Sequence, residues 1–357
     1  MPCKLAITSM SLGRCSAGHS LVHKLDMARR HGFKGIELFH EDLIDLAQQM
    51  PGYDTSDEEK RKDIELAAAL DIGFLCQEMG LAVVCLQPFA HFEGLLDRAA
   101  HRARLRQLQW WFDLALALGT DMVQIPSNFL PAAELSDDPD VAVADLQTIA
   151  DMGMVEDPPI RFVYEALCWG TRCDTWEQSW DIVKAVDRPN FGLCLDTFNI
   201  AGRIYADPTS PTGCSPDADV AVQESMARLL ATVDVRKVYY VQIVDAERLA
   251  KPLQPGHEFY NAEQPARMSW SRNCRLFYGE EDRGAYLPVA DISRAIFQGL
   301  GFEGWVSMEL FHRRMSDGDE DVPEELARRG SIAWAKLVKD MKLKVDDPAS
   351  RRVAASL

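Results

Sequence analysis

No two cysteines in this chain are spaced as CxxC, although nine are present. An odd, scattered set gives no disulfide framework and no cysteine-based zinc site, and several, such as Cys85 and Cys194, lie inside apolar runs as small core residues do. No apolar run approaches the ~20 residues needed to span a bilayer. The opening stretch, MPCKLAITSM, lacks a signal-peptide pattern and reads as a strand. Positive charge is also scarce. A net charge of −17 disfavours nucleic acid and anionic membrane surfaces as partners. These absences predict a reduced, cytoplasmic protein acting on a small molecule. They leave its oligomeric state open, a homo-oligomer included.

What is present is a globular composition, 47% hydrophobic and 26% charged, over a length that suits one large barrel or two ordinary domains. Short β-branched runs are expected as strands at Cys3–Thr8, Gly35–Phe39, Leu81–Gln87, Asp121–Ser127, Ile160–Leu167, Phe191–Thr197, Arg236–Asp245 and Gly304–Phe311. Between them stand segments of helical periodicity, for instance Arg102–Gly119 and Glu324–Lys342. Alternation of this kind predicts a parallel sheet, closed as a (β/α)8 TIM barrel over residues 1–345. An open doubly wound sheet is the alternative, but no glycine-rich nucleotide turn follows the first strand. The polar stretch 346–357 is read as a tail. Trp110, Trp111 and Phe112 are read as helix packing.

A connection of some 40 residues, Ala246 to Tyr286, follows the seventh strand. Loops beyond ~12–15 residues are uncommon and serve as lids or binding loops, or are disordered. MSWSRNCRLFYGE within it is too rich in aromatics and arginine for disorder, so a lid is expected.

Catalytic groups of such barrels sit where strands end. Glu165, Asp196, Gln242 and Glu309 fall late in or at the ends of the last four strands. Cys194 and Gly192 share a face with Asp196, as Ser307 and Trp305 do with Glu309, which places small residues in a narrow lumen. Crowded carboxylates repel unless a cation joins them. An all-oxygen set fits Mg2+ or Mn2+, with Co2+ also tolerated, better than zinc, and an octahedral ion so held keeps two positions for substrate. A lone acid at a strand end is more often a helix cap or half of a salt bridge. Four in register are harder to explain that way.

RFVYEALCWG, GLCLDTFNIAGR, YYVQIVDAER, MSWSRNCRLFYGE and WVSMELFHR, with CLQPFAHFEG upstream, together resemble the fungal-type 3-dehydroshikimate dehydratases, within the xylose-isomerase-like barrels. The likeness runs from LAITSMSLGR to WVSMELFHR. It implies a metal-dependent lyase that turns 3-dehydroshikimate into protocatechuate in quinate and shikimate breakdown. Glu165, Asp196, Gln242 and Glu309 match the family's metal ligands. Ser271, Arg272 and Arg275 resemble its substrate-binding positions; Arg203 and Gln87 are further candidates. Bacterial relatives often carry histidine three residues beyond the aspartate, where this chain has Asn199. His91 and Asn199 are therefore the catalytic candidates, with the proton acceptor left open. Glu37, in the second strand, could point inward but is read as structural, and His40 and His312 as core-edge groups or supports of the site. A sugar isomerase or epimerase on the same barrel, or a barrel that only binds a ligand, are the competing readings.

Overall fold

The computed structural model describes residues 2–345, so the expected tail at 346–357 lies outside the described residues. Its strands are β1 (Lys4–Thr8), β2 (Gly35–Phe39), β3 (Ala82–Gln87), β4 (Met122–Pro126), β5 (Arg161–Glu165), β6 (Phe191–Asp196), β7 (Val238–Gln242), β8 (Asp245–Ala246), β9 (Arg275–Leu276) and β10 (Trp305–Met308). All except β8 and β9 pair in parallel around a ring, and β1 closes it by bonding both β10 and β2. The open-sheet alternative is thereby excluded. Every expected strand is present, mostly trimmed at its ends. Arg236 and Lys237, for example, form a 3-10 turn capped by the Asp234 side chain, and the strand begins only at Val238.

Alternation along the strands makes two cores. Outward residues such as Ile7, Ile36, Leu38, Phe162 and Leu193 are buried beneath the surrounding helices. Inside the ring, Cys85, Met122, Val163, Cys194 and Tyr240 fill the lumen as a small separate cluster. That plug gives the residues one pleat higher a dry floor. The helix Arg98–Ala117, capped by Asp97, buries Trp111 and Phe112 as expected. All nine cysteines are free thiols. Among the described residues, no helix is long and apolar enough to cross a membrane.

The long connection after β7 is not an unstructured loop. It contains the β8–β9 antiparallel ribbon and the helix Ala266–Cys274. Trp270 on that helix is fully buried, donating through Nε1 to the Glu247 carbonyl at 2.9 Å, and its ring lies 4.8 Å from that of Phe198. Phe198 belongs to the helix that begins directly after β6, so the segment is fastened to the rim where β6 ends.

Candidate metal centre and active site

One oxygen from each of Glu165, Asp196 and Glu309 lies within 4.8 Å of the other two, and all three residues are buried. Glu165 ends β5, Asp196 ends β6, and Glu309 directly follows β10. Gln242 ends β7, with Asp196 as its register partner on one side and Ser307 on the other. The four residues expected from strand ends therefore share one rim of the lumen.

This crowding is electrostatically costly. Burial pushes the Glu165 carboxyl well above the ordinary carboxylate range, and the charges of Glu309 and Asp196 push it further. Burial likewise raises Asp196, against the pull of Arg275. Glu309 is raised to about 8, by burial first, with Arg275 opposing and Glu37 and Asp196 adding to the rise. A divalent cation reverses that logic, because it stabilises every carboxylate it touches. The donor set fits one: the carboxylate oxygens span little more than a Mg2+ shell, about 4 Å across at 2.0–2.1 Å per bond, and all are hard oxygens.

Neighbouring side chains hold the acids in place. Asn199 donates from Nδ2 to Glu165 Oε1 at 2.7 Å and to Asp196 Oδ2 at 2.8 Å, while its Oδ1 accepts the Cys168 backbone N–H at 3.0 Å. Gln124 donates to Glu165 Oε2 from the β4 side. Asp196 Oδ1 also caps the helix Thr197–Ile204 by accepting the Phe198 N–H at 2.7 Å. The humbler expectation for a lone acid at a strand end, a helix cap, is thus met by the same residue that joins the cluster.

Arg275 is fully buried between Asp196 Oδ2 and Glu309 Oε2, at 2.9 and 3.0 Å, and its Nε donates to Ser271 Oγ at 3.0 Å. Its guanidinium lies over Phe198 and Phe311, 4.2 and 4.9 Å from the ring centres. Arg275 and Ser271, expected to hold substrate, bond the acids and each other here. Asn199, expected among the catalytic groups, has no titratable proton, and its amide is engaged at both ends; it positions Glu165 and Asp196. Gln87 does reach the site, donating to Glu37 Oε2 at 2.8 Å and Glu309 Oε1 at 3.3 Å.

Among the described residues, the remaining candidates make no hydrogen bond to the cluster. His91, at φ 57°, has its ring against Phe129 and its Nδ1 3.3 Å from Asn128 Oδ1. Asn128 spends its Nδ2 on the Glu93 carbonyl at 2.9 Å, so Oδ1 is the acceptor and His91 carries its proton on Nδ1. Burial lowers the His91 pKa, which favours the neutral ring, and among the described residues nothing bonds its Nε2. Arg272 is exposed, bonds Gln264 at 2.9 Å and feels the charge of Arg14. Arg203 is ion-paired to Asp174 at 2.6 Å. His40 stacks on Trp111 at 4.5 Å and His312 caps a 3-10 turn, both core-edge groups as expected. Two lumen residues were undervalued or missed from sequence. Glu37 faces inward, where it accepts from Gln242 and Gln87, and Gln124 donates to Glu165. The period-2 pattern of GIELF and MVQIP held the signal for both.

A family model described as a xylose isomerase-like TIM barrel matches residues 25–337. The chain belongs to that xylose isomerase-like family. Within it, the chain is 62% identical over 359 residues to the 3-dehydroshikimate dehydratase of Neurospora crassa, covering 100% of both chains. It is 30% identical over 305 residues to the 3-dehydroshikimate dehydratase of Pseudomonas aeruginosa, covering 85% of this chain but 38% of that longer one. Among solved structures it resembles the IOLI protein, described with a bound zinc atom, at a TM-score of 0.67 and 16% identity over 95% of this chain and 99% of that one. That last likeness concerns the fold alone.

Proposed function

We propose that this xylose isomerase-like barrel dehydrates 3-dehydroshikimate to protocatechuate with the help of a divalent cation. The observation that carries the reading is the 62% identity across the whole length of the Neurospora crassa dehydratase. The buried triad of Glu165, Asp196 and Glu309 supports the metal requirement. Glu165, Asp196, Gln242 and Glu309 would hold the ion, with Mg2+, Mn2+ and Co2+ suited to the oxygen donors. When bound, the cation supplies positive charge that stabilises the negative charge developing at the substrate ketone oxygen as the α-proton leaves.

The chain's own groups do the rest. His91 is assigned as proton acceptor, because burial favours its neutral ring and its backbone is held at φ 57°; the proton it takes is passed to the departing β-hydroxyl, which leaves as water. A non-glycine residue kept in that left-handed region costs about 1 kcal/mol or more, a strain that clusters at working sites. Arg272, whose guanidinium feels the charge of Arg14, is assigned to the substrate carboxylate. Arg275 neutralises part of the acid cluster and fixes Asp196 and Glu309. A cytoplasmic setting, supplied with a small soluble substrate, suits an enzyme with nine free thiols.

The test is protocatechuate formation from 3-dehydroshikimate by purified chain given Mg2+, Mn2+ or Co2+. Product is expected with at least one ion, lost on chelation and restored by metal. No product with any of the three would overturn the reading. His91→Ala is expected to lower kcat about 10²–10⁴-fold, the usual share of general base catalysis, with metal affinity retained. Its absence should also abolish the acid limb of kcat/KM that protonating His91 imposes, a limb that burial shifts to lower pH. An unchanged acid limb removes His91 from the role.

A further inference from the structure

We infer that Glu37 is a positioning residue for the cation site: it fixes which end of the Gln242 side-chain amide faces the ion. This rests on the cation-binding reading of Glu165, Asp196, Gln242 and Glu309. Glu37 lies on β2, across the lumen from β7, and is fully buried. Donors surround its carboxylate. Gln242 Nε2 reaches Oε1 at 3.2 Å and Oε2 at 3.0 Å, Gln87 Nε2 reaches Oε2 at 2.8 Å, and Thr8 Oγ1 reaches Oε1 at 3.4 Å. Cys85 Sγ approaches from the layer below at 3.8 Å.

A glutamine amide has two ends of nearly the same shape, one a donor and one an acceptor. Only a carbonyl oxygen can serve a cation; an NH2 turned toward it would repel it. The choice is made by the partner on the far side. With Glu37 accepting from Nε2, the Gln242 carbonyl is left on the β6 side, where Cys194 Sγ meets it at 3.5 Å and Asp196 is the register partner. Glu37 also holds Gln87, which bonds Glu309 Oε1 at 3.3 Å, so one buried carboxylate orients an amide on each side of the site.

Glu37→Gln keeps the shape but brings a donor of its own, so Gln242 is free to turn its NH2 toward the ion. The experiment strips the full chain of metal, titrates it with MnCl2 by calorimetry, and records the thermal melt of the stripped protein alongside. E37Q is expected to bind Mn2+ about 10–100-fold more weakly, the usual effect of losing a partner behind a ligand. Its stripped form should melt as cooperatively as the parent. The exchange E37Q/Q242E puts the carboxylate on β7, where one oxygen accepts from the new amide and the other faces the ion, and is expected to recover most of the lost affinity.

A role in filling the lumen alone would lower stability and leave affinity untouched. E37Q binding Mn2+ as tightly as the parent overturns the inference, as does a well-folded exchange variant that recovers nothing. If the parent itself binds no Mn2+, the cation reading falls and this inference falls with it. Loss in E37Q with recovery in the exchange supports it.

Discussion

At the scale of single residues, the site is a balance of charge in which Arg275 is, among the described residues, the one cation bonded to the acids. Its guanidinium meets Asp196 and Glu309 while 1% of its side chain is exposed. Removing one partner of a buried ion pair typically costs about 3–5 kcal/mol, since the other charge is left unpaired. Arg275→Met is therefore expected to lower the denaturant midpoint of metal-stripped protein by a loss in that range. A divalent ion supplies the missing charge, so the loss should shrink when Mn2+ is present. Urea unfolding of parent and variant, with and without Mn2+, measures both. An equal loss under the two conditions would mean that ion and arginine do not act on the same carboxylates. The sequence showed the arginine in a suggestive motif but not its target. Asn199 was legible as the slot where relatives place histidine, yet only the structure shows its amide bridging Glu165 and Asp196.

At the scale of elements, the segments after β3 and β4 form a clamp around His91. Glu93 Oε1 accepts the Asn128 N–H at 2.6 Å and the Tyr164 hydroxyl at 2.9 Å, while its Oε2 has no hydrogen-bond partner among the described residues. Burial pushes Glu93 from an ordinary 4.5 up to about 7. With the folded value above the unfolded one, the folded chain holds a proton that the unfolded chain has lost between those limits. The contribution of this group is therefore fully present below pH 4.5, declines as pH rises, and is gone once pH passes about 7. The decline is on the order of 3 kcal/mol at ~1.4 kcal/mol per pH unit. Glu93→Gln keeps the Oε1 acceptor and has no proton to lose, so its stability should vary less between pH 5 and 8. Unfolding free energies of parent and variant across that range give the comparison. Parallel curves would show that Glu93 does not titrate there. Positive φ at His91 also explains why this clamp was hard to read in sequence, since a left-handed residue breaks the period that tells which way a side chain points.

At the scale of the whole molecule, legibility followed periodicity. Short apolar runs separated by helices located every barrel strand; strand ends marked Glu165, Asp196, Gln242 and Glu309, and alternation supported the lumen side for Asp196 and Glu309. Arg275 could not be placed, because the connection that carries it has neither the period of a strand nor that of one long helix. The acidic whole also sets how metal binding must be tested. A net charge of −17 makes any salt relieve some self-repulsion, so a rise in melting temperature with MnCl2 is not by itself a sign of a site. Specific binding adds RT ln(1 + [L]/Kd), about 2.7 kcal/mol at a hundredfold excess over Kd. Spread over the unfolding entropy of a chain this long, that is a rise of about 3–4 °C. The rise should persist against NaCl of equal ionic strength, disappear with EDTA, and be much smaller in Glu309→Ala, which lacks one acid of the triad. A variant that gains as much from Mn2+ as the parent would mean that the ion acts on the surface charge and not between the strand ends.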